Sequence, residues 1–532
     1  MARPLVSPAP RSVALDPGRA VVPALLAVLA AVIGWPVAAV LIAGVVGPSA
    51  APPPGVVLTT LAAALASTVG AVVAAALPAY AVARVDVPGR ELAWRVFRVG
   101  VLVPPFAAPL ALLVLAGPEA FVAGGSVSGV AAIVIGQTLA FLPHATALLV
   151  RALADVRVEL EQAAEVLGAP RSTVVRRVTL PLAAPRLRTA AFAVLGLCLA
   201  DVASPLLLGG DAVVLATFIV AAAAGGAEAT TRAALMLAAL AATAALAGLT
   251  WRHATVATRG WPGLPRIDRR ASAPVRWSLG AGVWLAGLAL TTLWAIIPLG
   301  SLLHAAHGTW TPSLEHWAPL MSWAGARPLR NSLTLGLGVA LAGTTLALAI
   351  AWILERGLTP LKGGIEWLAR VPVAVPGIAA GVGYLLTFGP PAPMLTGMLV
   401  LVAAVACWEL PAVLRVARAG LARSDRTLEQ AAISLGAGRV STGRRIVVPA
   451  LRPVAGWVFG YSFAGGVLAV STVIVLAGSG PSLGTTTMLA LAASGAPGAA
   501  CAVATVLLAV AGGALLLGRT VAGRMRVPTL LA

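Results

Sequence analysis

The chain is a succession of apolar runs separated by short segments rich in Arg, Pro and Gly. Runs of this length predict transmembrane α-helices, because about 20 helical residues cross the hydrocarbon core of a bilayer. The twelve candidate spans are 21–46, 56–83, 99–117, 129–150, 189–208, 231–250, 278–303, 331–354, 371–389, 394–414, 457–478 and 498–518. The pattern therefore predicts an all-α, polytopic membrane protein with about 12 transmembrane helices.

Composition supports a membrane protein and excludes a soluble one. Hydrophobic residues make up 59% of the 532 positions and charged residues only 10%, whereas about a quarter of a soluble chain is charged. Five scattered His and the lack of paired carboxylates in the spans argue against a membrane-embedded enzyme. The three Cys all lie in apolar runs, which is typical of packing residues rather than of a disulfide framework.

The net charge of +19 is explained by topology. Of the 37 basic residues, 34 lie in the two terminal segments and in five loops that share one side of the predicted membrane. Arg232, Arg327 and Arg330 lie on the other side. Because basic loops remain in the cytoplasm, both termini are predicted to be cytoplasmic. The charge then faces membrane lipid, and a nucleic-acid partner is not expected.

One unit of sequence occurs twice. Residues 160–185 recur 268 positions later with 13 of 26 residues identical, and the same offset pairs Pro143 with Pro411. Six spans per copy is an even number, which predicts two parallel repeats. The predicted organisation is a cytoplasmic N-terminus 1–20, a six-helix domain 21–250, a cytoplasmic linker 251–277, a second six-helix domain 278–518 and a cytoplasmic C-terminus 519–532.

Each copy has its longest cytoplasmic loop, 151–188 or 415–456, between its fourth and fifth spans. Apolar residues from Asp155 to Leu167 have helical spacing, and Gly168 is a typical helix stop. A second helix is predicted from Thr173 to Leu180, ending at Pro181. We therefore expect a helix, a tight turn and another helix on the inner face, with an apolar ridge that needs a protein surface to cover it.

These loops resemble a known motif. Gln162-Ala163-Ala164, followed by Gly168 and Pro181, recurs as Gln430-Ala431-Ala432, Gly436 and Pro449. This arrangement is similar to the EAA loop of ATP-binding-cassette importer permeases, although Gln replaces the usual Glu in both copies. The resemblance extends over nearly the whole chain, as a fused permease with two six-helix halves of the type I importer fold. It implies that the residues coupling the chain to an ATPase are Glu161, Gln162, Ala163, Ala164, Gly168, Pro181, Glu429, Gln430, Ala431, Ala432, Gly436 and Pro449.

The resemblance also implies partners and a location. Members act in the bacterial cytoplasmic membrane with two copies of an ATP-binding subunit and with an extracytoplasmic substrate-binding protein. This chain has no Gly-x-x-x-x-Gly-Lys-Ser/Thr phosphate loop, and its one lysine is Lys362. We therefore expect ATP and Mg in the partner subunit, with no cofactor, metal or catalytic residue in this chain.

The substrate is less defined by the sequence. Residues 200–210 resemble the end of the fifth span in fused ferric-iron permeases, which makes ferric iron the best guess. Thiamine, aminoethylphosphonate and polyamine permeases remain close alternatives.

Two acidic residues, Asp201 and Glu409, fall within predicted spans, where a charge is costly. Asp201 is a candidate for the translocation path, and Glu409 is expected to pair with basic residues such as Arg415 near the inner interface. Further candidates for the path are Ser204, Tyr461 and Thr472. Gln137, His144 and Ser462 could line a cavity, but such residues more often make hydrogen bonds between helices. The spacing of His304, His307 and His316 is not that of a recognised metal site.

An ion- or proton-coupled secondary transporter with two parallel six-helix halves is the main alternative. Such a transporter would need coupling acids or basic residues in its core, and it would not need two cytoplasmic docking loops. Copurification of an ATPase with the solubilised chain would separate the two hypotheses.

Overall fold

The computed structural model describes residues 17–116, 128–226, 228–250, 272–306, 309–356, 360–389, 395–422, 426–477 and 480–522. The first helices are α1 Pro17–Leu29, α2 Trp35–Val46, α3 Pro54–Arg84, α4 Arg90–Gly100, α5 Ala107–Ala116, α6 Val130–Ala154, α7 Val158–Val166, α8 Arg171–Val174, α9 Leu180–Ala200, α10 Ala203–Leu208, α11 Leu215–Ala222 and α12 Thr231–Thr250. Most of the predicted terminal segments and of the linker 251–277 lies outside the described residues.

The later part of the chain is also helical. Its helices are α13 Ala273–Gly300, α14 Arg327–Arg356, α15 Lys362–Leu368, α16 Gly377–Phe388, α17 Leu395–Ala422, α18 Arg426–Ser434, α19 Arg439–Thr442, α20 Val448–Leu468, α21 Val473–Leu476, α22 Gly484–Ala493 and α23 Pro497–Ala522. One antiparallel pair of short strands, β1 Leu303–Ala306 and β2 Thr309–Pro312, follows α13. The chain is thus an all-α polytopic membrane protein, as predicted.

The internal repeat is visible in the helix bounds. The helices α7, α8 and α9 recur 268 residues later, to the residue, as α18, α19 and α20. The helices α10, α11 and α12 have counterparts in α21, α22 and α23 at nearly the same offset. The repeat therefore reaches well beyond the segment in which the sequence identity is strongest.

The number of spans needs a correction. Among the described residues, ten helices are long and apolar enough to cross a membrane, or eleven if the bent pair Lys362–Val373 and Gly377–Phe388 is one span. The predicted third span, 99–117, is instead divided between α4 and α5, and α5 has only ten residues. The predicted ninth span, 371–389, belongs to the bent pair, whose parts meet at 114°. Proline causes both breaks, because it removes a backbone donor and clashes with the preceding turn, and it stands at 104, 105, 372 and 376.

The predicted fifth and eleventh spans begin and end earlier than expected. They correspond to the continuous helices Arg171–Ala200 and Gly443–Leu468. Pro181 was expected to end a helix, and this prediction is wrong. Pro181 and Pro449 are the second residues of α9 and α20, each directly after a five-residue π-helical turn. The altered hydrogen-bond pattern of a π-helical turn accommodates the missing proline donor, so the helix continues.

The first long helix of each half packs against the other half. The segment α1–α2 contacts α15, α16 and α17, and the Tyr384 hydroxyl of α16 donates a hydrogen bond to the Val32 carbonyl. In return, α13 packs on α3, α4 and α5. The Trp284 ring of α13 donates to the Pro88 carbonyl at 2.9 Å, and Arg276 pairs with Asp86 at 3.2 Å. The first long helix of each half thus packs against the broken span of the other half, which is α4–α5 in the first half and α15–α16 in the second.

Candidate functional site

The loop helices α7 and α18 end in the same tight turn. Gly168 and Gly436 follow them with φ angles of +86° and +87°, in the left-handed region that glycine tolerates best. The Gly168 amide donates to the Glu165 carbonyl at 2.9 Å, and the Gly436 amide donates to the Ile433 carbonyl at 3.0 Å. A glycine in this conformation closes a helix and redirects the chain at once. Both predicted helix stops are therefore observed.

Apolar side chains project from both loop helices. Leu167 is 88% exposed and its repeat counterpart Leu435 is 89% exposed. We define the apolar ridge of each loop by its exposed aliphatic residues, which are Leu160, Val166 and Leu167 in the first loop and Leu428, Ile433 and Leu435 in the second. Because these residues lie in the charged loops rather than in the apolar spans, the two ridges are exposed apolar surfaces outside the predicted membrane spans.

The remaining motif residues divide between the two faces of each loop helix. Ala163, Ala431 and Gln430 are exposed, whereas Gln162, Ala164 and Ala432 are half-buried. The small alanine side chains leave the exposed face low beside the ridge.

Glu161 and Glu429 do not face solvent. Glu161 Oε1 is 3.1 Å from Nε of Arg84, and Glu429 Oε1 is 3.1 Å from Nη2 of Arg356. The Thr179 hydroxyl also donates to Glu161 Oε1 at 2.8 Å. These acids hold the loop helices to the body of the protein.

Arg84 and Arg356 were not among the predicted site residues. They are 272 positions apart, one helical turn more than the repeat offset of 268, so comparison of the two copies does not pair them. Each lies in the last turn of the helix that ends near its loop. The one sequence signal for these contacts was the basic residue at the end of each helix.

Asp201 occupies the break after α9. The residue is 6% exposed, and its carboxylate accepts hydrogen bonds from the Ala203 amide at 3.1 Å and the Ser204 amide at 3.3 Å. The Gln137 side chain donates to Asp201 Oδ2 at 3.2 Å and to the Cys198 carbonyl at 3.0 Å. Asp201 therefore caps the first turn of α10, and with Gln137 it lines a small cavity between α3, α6 and α9.

Of the other path candidates, Ser204 is next to Asp201, and Thr472 lies at the corresponding break after α20. The two breaks are close to each other, because the Ser471 hydroxyl donates to the Ala200 carbonyl at 3.4 Å. Tyr461 lies eight residues before the second break, which is about 12 Å along a helix. The structure thus groups Asp201, Ser204 and Thr472 around the two helix breaks and places Tyr461 apart from them.

Among the residues that the structure describes, Glu409 makes no ion pair with a basic residue, contrary to the prediction. Its carboxyl group packs on Gly465, where an added Cβ would lie 2.4 Å from the Glu409 carboxyl carbon. Arg415 is exposed, and within the described ranges the ion pairs at this end of α17 join Arg418 to Glu355 and Glu366. Glycine at position 465 provides the space that the Glu409 side chain occupies.

The His residues of the predicted external segment do not form a metal site in the described part of the chain. His304 Nδ1 is 3.3 Å from Glu315 Oε2, and the His304 and His316 rings are 6.0 Å apart. No group of three or more potential metal ligands occurs among the residues that the structure describes. His307 lies outside them.

The chain is also similar in sequence to known proteins. Residues 71–251 match the family described as binding-protein-dependent transport system inner membrane component. The chain is 25% identical over 452 residues to the ferric transport system permease protein of Actinobacillus pleuropneumoniae, which covers 80% of this chain and 65% of that protein. It is 26% identical over 400 residues to a putative ferric transport system permease protein of Haemophilus influenzae, covering 71% of this chain and 63% of that protein.

A shorter relative has another named substrate. The molybdate/tungstate transport system permease protein of Thermococcus kodakarensis is 28% identical over 149 residues, which cover 27% of this chain and 60% of that protein. The alignments thus span slightly less than two thirds of each of these relatives. The chain is therefore similar, over 71–80% of its length, to permease proteins of ferric transport systems, in addition to its match to the inner membrane component family.

Proposed function

We propose that this chain is the translocation subunit of an ATP-driven importer. It moves a small solute that an extracytoplasmic binding protein delivers, and each loop docks one copy of a separate ATP-binding subunit. ATP and Mg are bound by that partner. The observation that carries the proposal is the pair of apolar ridges, which have the same turn geometry and nearly the same exposure at Leu167 and Leu435.

The proposed orientation places both ridges and both termini in the cytoplasm. It is supported by the 34 basic residues that share the side of these loops, because basic loops remain on the cytoplasmic side. The helix breaks at Asp201 and Thr472 then lie toward the outer half of the membrane, since α9 and α20 both lead away from the loops. We propose that Asp201, Ser204 and Thr472 border the solute path there.

Ferric iron is the proposed substrate. It is supported by the two ferric relatives, whose alignments cover 80% and 71% of the chain, and by the sequence at 200–210. The molybdate/tungstate relative covers only 27% of the chain. An oxyanion is therefore the second substrate class to test.

The test is receptor-stimulated ATP hydrolysis by the assembled complex in liposomes. Candidate receptors would be loaded with ferric iron, molybdate, thiamine, aminoethylphosphonate or a polyamine. We expect the iron-loaded receptor to stimulate hydrolysis most strongly. Stimulation by another ligand would change the proposed substrate and leave the proposed importer function intact. Uptake driven by an ion gradient without ATP would instead favour a secondary transporter.

A further inference from the structure

The acid of each loop helix is bound to the end of a long helix in its own half. Arg84 is the last residue of α3, and Arg356 is the last residue of α14. Each arginine approaches its glutamate to 3.1 Å, and Arg356 also donates from Nε to both Glu429 oxygens, at 3.1 and 3.2 Å. An Arg–Glu ion pair thus occurs at both loops, and among the described residues it is hydrogen-bonded through Nε at Arg356 but not at Arg84.

Each arginine also binds the end of the helix that precedes the loop. Arg84 Nη2 donates to the carbonyls of Leu153 and Val156 at 2.8 and 2.9 Å. Arg356 Nη2 donates to the Leu421 carbonyl at 3.3 Å. Leu153 and Leu421 are repeat counterparts, 268 residues apart. Each arginine therefore joins three elements, namely a long helix, the end of the preceding span and the loop helix.

These pairs are shielded from solvent. The side chains of Arg84 and Glu161 are 6% and 15% exposed, and those of Arg356 and Glu429 are 10% and 14% exposed. The pair Arg95–Glu91 on α4 is 65% and 80% exposed. A shielded pair is less screened and holds a more definite geometry than an exposed one. The loop helices therefore contact the long helices through charge pairs that solvent and salt screen less than a surface pair.

The pairs recur even though the sequence register is not kept. At an offset of 268, Arg84 corresponds to Trp352 and Arg356 corresponds to Pro88. The added helical turn in the second half moves the basic residue by four positions and still brings it to the equivalent glutamate. The Arg–Glu contact therefore recurs in both halves, although the arginines do not align at the repeat offset.

We propose that Arg84 and Arg356 are positioning residues that transmit movement of the loop helices α7 and α18 into α3 and α14. This inference rests on the proposed function, because it assumes that an ATPase moves the ridges. The helix α3 has 31 residues and α14 has 30, so each is roughly 45 Å long and carries a displacement at its cytoplasmic end to its outer end. The glutamate side of each loop helix is bound to the long helix, and the apolar ridge on the loop stays exposed to the partner.

The test compares graded variants in the complete complex. Arg84→Gln and Arg356→Gln remove the charge, whereas Arg84→Lys and Arg356→Lys keep it and can still donate hydrogen bonds. Glu161→Gln and Glu429→Gln break the pairs from the loop side, where the fold is less at risk. Arg95→Gln is the matched control, because its ion pair is exposed.

The readout is a distance that requires no transported solute. Spin labels at Leu58→Cys and Thr334→Cys report the outer ends of α3 and α14, where both residues are exposed. The native Cys198, Cys407 and Cys501 are buried, so selective labelling is expected. The distance is measured in the ATPase complex before and after trapping with Mg-ATP and vanadate, and ATPase copurification is measured on the same samples.

We expect trapping to change the label distance in the parent complex, in Arg95→Gln and in the Lys variants. In the Gln variants the trapped population should fall about tenfold while the ATPase still copurifies. The double variant Arg84→Gln/Glu161→Gln should be no worse than either single variant, because each removes the same link.

Two results would overturn the inference. One is a full change of distance in the Gln variants, and the other is a loss of ATPase binding that explains their effect. Failure of the parent chain to bind any ATPase would instead refute the proposed function.

Discussion

Gly168 and Gly436 end the two loop helices with left-handed backbone, and neither has a heavy atom within 4 Å of an added Cβ. A substitution there would cause backbone strain rather than a clash. Gly438 offers a control in the same loop, because its Cβ position is also open and its φ is not in the left-handed region. Comparison of the three glycines thus isolates backbone strain, because an added Cβ has open space at all of them.

We predict that Gly168→Val and Gly436→Val cost about 1–2 kcal/mol locally, because a β-branched residue is strained at positive φ. The strained turn should tilt the apolar ridge of its loop. ATPase copurification and uptake of radioactive ferric iron should therefore fall, while membrane insertion stays normal. Gly438→Val should have little effect. Normal ATPase binding and uptake in the double variant Gly168→Val/Gly436→Val would refute the role of these turns.

Asp201 has two possible contributions, because it caps α10 and also borders the cavity beside Gln137. We predict that Asp201→Ala lowers uptake while the ATPase still assembles. Each hydrogen bond that the Asp201 carboxylate accepts contributes about 1.5–3 kcal/mol to stability when the carboxylate is charged. The exposed Asp211 provides a control variant, Asp211→Asn.

Asp201→Asn separates the two contributions, because asparagine keeps the capping oxygen but removes the charge. Loss of uptake in both variants would assign the charge to the path. Uptake retained by Asp201→Asn would reduce this residue to a helix cap, and normal uptake by Asp201→Ala would exclude both roles.

At the scale of the helices, the sequence predicted the loop helices well but misjudged their continuation. Helical spacing and a glycine stop are local signals, and they placed α7 and its turn correctly. Pro181 was a misleading signal, because the π-helical turn before it restores helical continuity. The ion pairs of Glu161 and Glu429 join residues 73 or more positions apart, and no local pattern predicts such a contact.

The apolar ridges lead to a prediction about docking. Leu167→Glu and Leu435→Glu should each reduce ATPase copurification, because a carboxylate placed against an apolar groove loses its hydration without a partner. Membrane insertion should be unaffected, since both side chains are nearly fully exposed. Leu314→Glu, at an exposed site in the predicted external segment, is the control. Undiminished copurification by both loop variants would show that the ridges do not contact the ATPase.

At the scale of the whole molecule, the first long helix of each half packs against the broken span of the other half. Hydropathy and charge predicted the membrane class and an orientation, but not this exchange of helices, because helix-to-helix contacts leave no periodic signal. The same reasoning explains the two spans that proved to be broken. These proline-containing apolar runs have enough residues to span a membrane, but the helix breaks and changes direction at the prolines.

The orientation can be tested with single cysteines at described positions. We predict that Leu435→Cys reacts with an impermeant reagent only from the cytoplasmic side, and Trp323→Cys only from the outside. The native cysteines should stay unreactive because they are buried. Labelling of Leu435→Cys from outside would invert the proposed topology.

The most direct test of the central claim is the mass of the intact complex, measured by native mass spectrometry after mild solubilisation. The account predicts two ATPase subunits for each chain, one after either Leu167→Glu or Leu435→Glu, and none after both changes. A parent chain that carries no ATPase, or a double variant that still carries two, would contradict the claim that these loops couple the permease to ATP hydrolysis.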